Sequence, residues 1–210
     1  MLYARFKVAM RSFWNETRGS FTVESVIAIP LLFWATAATF EFFEVHRYKS
    51  AREKATYAIA DMISRETSQA GLTSVYMDNA LTMFDAISND EGANQIRVSV
   101  VQYDQIEDIY EIVWSEIRGQ EFTLEQLETS DVEDDHDRLP IVDHGDQIIV
   151  VESNSFYEPL FGIALDRLLV DTRMFTSIRF APQVCYEGIC APANDGTTDT
   201  SDDDDAASNS

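Results

Sequence analysis

Apolar positions run almost unbroken from Phe21 to Phe40, twenty residues in which Glu24 is the only charge. At about 1.5 Å of rise per residue, a helix of that length matches the roughly 30 Å hydrocarbon core of a bilayer. Beyond it the pattern changes from continuous to periodic. Residues 41–66 contain neither Gly nor Pro, and Val45, Tyr48, Ala55, Ile59, Met62 and Ile63 recur at helical intervals. One helix from about Ser20 to Glu66 is therefore predicted, its outer part a stem with an apolar stripe. Pro30 removes a backbone hydrogen bond inside it and predicts a kink. Gly71 reads as the stop, and Thr73 or Ser74 as the next cap. A second helix is expected over 73–88, with Val75, Tyr76, Leu81, Met83, Phe84 and Ile87 on its buried side.

After Gly92 the period becomes two. Ile96, Val98 and Val100 alternate with Arg97 and Ser99, and Tyr110, Ile112 and Trp114 with Glu111 and Val113. These are half-buried strands, and the polar stretch Asp104 to Asp108 joins them as a hairpin. Gln147 to Val151 predicts a central strand, and Met174, Thr176, Ile178 and Phe180 mark another. Phe156 to Leu169, with Pro159 and Gly162, reads as a loop leading into a short amphipathic helix. The expected class is α+β: a long N-terminal helix packed with a second helix on a small antiparallel sheet. A head over 42–190, including the stem at 42–66, holds enough ordered chain for one core but hardly two.

Two segments carry no folding signal. The acidic stretch 120–146 contains Asp131, Glu133, Asp134, Asp135, Asp137, Asp143 and Asp146 with His136 and His144, and 191–210 ends in an acidic run. Both are expected to be solvated loop or tail. Carboxylates are hard ligands for calcium, but the first stretch lacks the alternating ligands and turn glycine of an EF-hand loop, so no metal is assigned.

Charge orients the chain. The leader, residues 1–19, holds Arg5, Lys7, Arg11 and Arg18 against Glu16, which by the positive-inside rule keeps that end in the cytoplasm. Arg47, Lys49, Arg52 and Lys54 beyond the span temper this signal. Past residue 54 there is no lysine, and the chain as a whole carries −22. Such a balance argues against nucleic acid as a partner, since phosphate backbones need clustered Lys and Arg. Cys185 and Cys190 lie five positions apart. In an oxidising compartment they would pair, adding about 2 kcal/mol in the chain-entropy model. In the cytosol they would be two buried thiols, and without a second pair or a nearby His they suit zinc poorly. There is no Gly-x-Ser-x-Gly elbow, no phosphate-cradling glycine loop and no His-Glu-x-x-His helix, so no catalytic residue or cofactor is assigned.

The motif at the head of the span remains to be explained. In Arg18-Gly19-Ser20-Phe21-Thr22-Val23-Glu24-Ser25 a glycine and a glutamate five residues on bracket the start of the apolar run. A cut after Gly19 would free the amino group of Ser20, and Glu24 of a neighbouring subunit would then have a cation to pair with. Pairing offsets the cost of a carboxylate near hydrocarbon. This arrangement, followed by Ile27-Ala28-Ile29-Pro30-Leu31-Leu32, resembles the TadE/TadF pseudopilins of tight-adherence (Flp pilus) systems. Val150-Val151-Glu152, Phe156-Tyr157-Glu158-Pro159-Leu160 and Phe180-Ala181-Pro182-Gln183-Val184-Cys185 are similar in layout to the end of the heads in that family. The resemblance implies processing by a prepilin peptidase at Gly19–Ser20, an inner-membrane anchor at 20–41 with the head in the periplasm, other pseudopilins as partners, and a role in pilus assembly. Trp34, Thr36 and Thr39 depart from the more uniformly aliphatic run common in the family. Two rival readings stand beside it. One is an uncleaved signal anchor. The other is Sec export with cleavage after Ala37, at Ala35-Thr36-Ala37, which would release a soluble acidic binding protein or hydrolase.

Overall fold

The computed structural model describes residues 20–67, 71–89, 93–120, 124–133, 137–162 and 166–191. The leader with Gly19, the tail from 192 onward and His136 lie outside them. The first element, α1, spans Ser20–Ser64, 45 residues with Pro30 inside, as one helix through both the apolar run and the stem. It closes two residues short of the predicted end, with the amides of Arg65 and Glu66 reaching back to Met62 and Ile63. Gly71 is not its stop. It adopts φ +77°, and a Cβ there would lie 2.7 Å from the Cys185 carbonyl, so glycine is required by a close approach of two chain segments.

Helix α2 spans Ser74–Ser88, and the Thr73 hydroxyl accepts the Tyr76 amide as its N-cap. Its buried face is Met77, Ala80, Phe84 and Ser88, whereas Val75, Met83 and Ile87 are exposed. Of the expected face, Phe84 is buried and Tyr76 and Leu81 pack partly against the core, while Met77 and the small Ala80 and Ser88 take the inward places expected of Val75, Met83 and Ile87.

The sheet consists of β1 (Asn94–Asp104), β2 (Ile109–Gly119), β3 (Gln147–Tyr157) and β4 (Leu168–Ser177), all antiparallel in the order β2-β1-β3-β4. The hairpin and the central placement of 147–151 match the expectation. Residues 156–169 do not, because Phe156 and Tyr157 still belong to β3 and Leu168 already begins β4; no helix occurs in the described part of that connection. In β2 the register slips where Val100 faces Trp114 but Val101 faces Ile112, leaving Val113 as a bulge. The bulge sends Tyr110 and Ile112 to one face and Trp114 to the other, so the strand is not the one-sided alternation its residues suggest.

Two apolar clusters result, one on each face. On the front, Ala55, Ile59 and Ile63 of α1 and Met77 and Phe84 of α2 pack on Ile96, Val98, Ile149 and Val151. On the back, Val101, Tyr103, Tyr110, Ile148 and Val150 are covered by Val132 and Leu139. The acidic stretch 120–146 is therefore not simply solvated. In its described part it makes a 3₁₀ turn at Thr129–Asp131 and seats two apolar side chains while its carboxylates face water. Ala191, expected to open the tail, is also buried.

Cys185 and Cys190 form a disulfide with Cα atoms 4.6 Å apart. The small loop it closes ties the start of α2 to the sheet. The Leu72 amide donates to the Cys185 carbonyl at 2.7 Å, Glu187 returns a bond to Leu72, and the Trp114 indole donates to the Val184 carbonyl at 2.7 Å.

Candidate functional site

The segment with functional signals is the inner half of α1 and the place where it meets the head. Val23, Val26, Ile27, Ile29, Leu31, Leu32 and Phe33 are all exposed around the helix. A helix apolar all round with nothing packed on it is unsuited to water. Among the described residues it is the one helix long and apolar enough to cross a membrane. The two threonines that interrupt the run satisfy themselves within it, Thr36 donating to the Leu32 carbonyl and Thr39 to the Ala35 carbonyl, each at 2.8 Å. Hydroxyls bonded one turn back are compatible with hydrocarbon, so these departures leave the span intact. Ser20 is already helical, Glu24 is exposed, and Gly19 lies outside the described residues.

Direction along the helix follows from its partners in the head. The Tyr48 hydroxyl donates to the Phe156 carbonyl at 2.9 Å, Thr56 meets Ser153 and Thr172 through hydroxyl contacts of 3.1 and 2.8 Å, and the Arg179 amide reaches Ser64. The stem therefore runs along β3 and β4 from the end bearing the β3–β4 connection toward the end bearing the β1–β2 turn. The connection is thus the part of the sheet nearest the apolar run, and the turn at 105–108 is at the far end.

Glu41, one residue beyond the apolar run, is fully buried. Its Oε1 accepts the amides of Phe161 and Gly162, each at 2.8 Å, and its Oε2 is buried without a hydrogen-bond partner. The rings of Phe40 and Phe161 meet edge to face with centroids 6.2 Å apart. Val45 lies four positions beyond the carboxylate and Tyr48 about a turn further, its ring carrying the buried Arg52 guanidinium 3.2 Å from its centroid. Tyr157 stacks against Tyr48 at 5.1 Å, and its phenol is raised above its ordinary value by burial and then by the nearby carboxylates of Glu44 and Glu41. Beside these residues is a cleft of 660 Å³ lined by Glu44, Arg47, Arg52, Phe156, Glu158 and Arg167. Its rim charges of both signs pair loosely, Arg47 with Glu44 at 3.5 Å and Arg167 with Glu158 at 3.6 Å. Among the described residues, no three or more His, Cys, Asp or Glu side chains gather to hold a metal ion.

The part of Glu41 was not read from the sequence, because its partners lie some 120 positions away. The one local signal is a lone carboxylate between two aromatic residues at the end of an apolar run, which is costly unless something covers it. Glu41→Ala should free the connection. Hydrogen bonds to a charged group contribute about 1.5–3 kcal/mol, so the Phe161 and Gly162 amides should exchange roughly ten- to a hundredfold faster in the detergent-solubilised chain. Unchanged exchange by mass spectrometry would show that other contacts hold the loop.

Compared with known proteins, the chain matches no family model, no curated protein and no solved structure.

Proposed function

We propose that this chain is a minor pilin-like membrane protein, a pseudopilin, that takes part in assembling tight-adherence (Flp) pili. Residues 20–41 anchor it in the bacterial inner membrane, the basic leader stays in the cytoplasm, and the α+β head is periplasmic, where Cys185 and Cys190 are oxidised. A prepilin peptidase cuts after Gly19, and Glu24 then serves contact with other pseudopilins. The observation that carries this reading is one helix whose exposed apolar part directly follows the glycine-glutamate motif and continues unbroken into the core of the head. A membrane-retained prepilin needs that continuity, because the head must move with its anchor.

The rival cut after Ala37 would leave Phe40, Phe42 and Phe43 exposed at the new end of a soluble protein, with exposed Phe161 against Phe40. An apolar patch of that kind is a liability in water and an asset at a bilayer surface. The mature N-terminus decides between the readings. Mass spectrometry of the membrane fraction should find Ser20 first, and only Met1 in cells lacking the prepilin peptidase. Ala38 as the first residue of a soluble form would establish Sec release, and Met1 in every strain an uncleaved anchor.

A further inference from the structure

Glu41 holds Phe161 and Gly162 of the β3–β4 connection at a defined height on α1. It accepts both of their amides, and the Phe161 ring abuts Phe40, the last residue of the apolar run. At about 1.5 Å of rise per residue, Phe40, Phe42 and Phe43 fall within about 5 Å of one another along the axis. All three are exposed, as are Leu160 at 75% and Phe161, which meets Phe40, at 45%, although the head has two cores that could have received them. Farther out along the stem, Arg47 keeps 80% of its side chain exposed, at the height where a phosphate layer would lie if the hydrocarbon ended near Phe40. The apolar side chains of helix and loop thus stand at about one level, with the Arg47–Glu44 pair above them and a lipid-compatible helix below. The same loop hides the Glu41 carboxylate, which would otherwise face acyl chains.

From this we infer that the β3–β4 connection is a second membrane contact: Leu160 and Phe161 insert into the outer interfacial layer of the bilayer that α1 crosses, and Glu41 fixes their depth. The occupant of the patch is lipid, because the patch adjoins the apolar helix, and the exposed Thr36 and Thr39 between them bond their hydroxyls within that helix. The inference rests on the membrane-spanning reading of α1. Stem and head are one packed body, and a second contact limits its tilt about the span, so β1–β2 is kept pointing away from the membrane.

The test uses the full-length chain in nanodiscs of phosphatidylcholine and phosphatidylglycerol, with its disulfide intact and one added cysteine bearing an environment-sensitive fluorophore. Leu160→Cys is compared with Trp34→Cys inside the apolar run and with Ile106→Cys on the distal turn. Position 160 tolerates the change because its side chain contributes little to either core. The label at 160 should shift to the blue of that at 106 and be quenched by lipids spin-labelled near the headgroup, while the label at 34 is quenched best by lipids labelled deep in the chain. Quenching at 34 with none at 160 would overturn the second contact and leave the span standing. A blue-shifted label at 160 that lipid does not quench would overturn it in favour of a protein-covered patch. No quenching at 34 would remove the span itself, and the inference with it.

Discussion

Glu152→Ala is expected to destabilise the head by about 3–5 kcal/mol, the cost of removing one partner from a buried ion pair. Glu152 lies on β3 between Arg97 of β1 and Arg173 of β4. Arg97 Nε donates to one carboxylate oxygen at 2.7 Å and Arg173 Nε to the other at 2.6 Å. Glu152 and Arg97 are both buried, whereas the Arg173 side chain is partly in water, so the cost falls chiefly on the stranded Arg97 guanidinium. Arg97 also donates to the Glu125 carbonyl at 2.5 Å, and Gln95 exchanges two bonds with the Leu124 backbone. These contacts hold the acidic segment over the back of the sheet, so the variant should loosen that cover as well. Urea unfolding of the solubilised chain, followed by fluorescence with Trp114 as buried reporter, measures the loss. Replacing Arg97, Glu152 and Arg173 together by apolar residues should cost less than the single change, because no charge is left buried. A loss under about 1 kcal/mol for Glu152→Ala would mean that water screens the network.

The second large effect separates cutting from assembly. Gly19→Val should abolish processing, since a branched side chain replaces the small residue before the cut, and the 19-residue leader should stay on all of the protein. Glu24→Ala should be cut normally and still fail to support pili. Its carboxylate is exposed on α1 and, on the proposed reading, would meet the freed Ser20 amine of a neighbouring subunit. A carboxylate within hydrocarbon costs up to about 2.5–3.5 kcal/mol on insertion scales, and pairing recovers it only in the assembled state. Immunoblotting reads the leader and electron microscopy counts pili. Normal piliation in Glu24→Ala would remove the pairing role without touching the cut.

Several elements were legible because their causes are local. Thr73 caps α2 from three residues away, and the hairpin follows from alternating strands around a polar turn closed by Asp104, whose carboxylate accepts the amides of Ile106 and Glu107. The back-face cover was not legible. Val132 stands singly between acids and Leu139 opens a short run with Pro140, Ile141 and Val142, neither with a helical or strand period to mark it as buried. Chain length was also a poor guide to the number of cores. A four-stranded sheet with both faces covered needs only a stray segment on its second face, and β1 is consequently buried from Asn94 to Val101. In the candidate site, the span and Glu24 could be found by counting along the chain, whereas Glu41 could not.

The sequence by itself determined the continuous helix from the apolar run into the stem, the second helix, the order of helices before strands and the exposed glutamate near the head of the apolar run. All of these follow from backbone periodicity and from the cost of exposing apolar surface over neighbouring residues. The tertiary structure alone decided which side of α2 faces inward, where β2 slips register, that Gly71 is required by Cys185, and that Glu41 clasps the β3–β4 connection beside Phe40. Each of these depends on two segments far apart in the chain meeting in space, where close packing and the need to pair every buried polar group choose among arrangements that local spacing leaves equal.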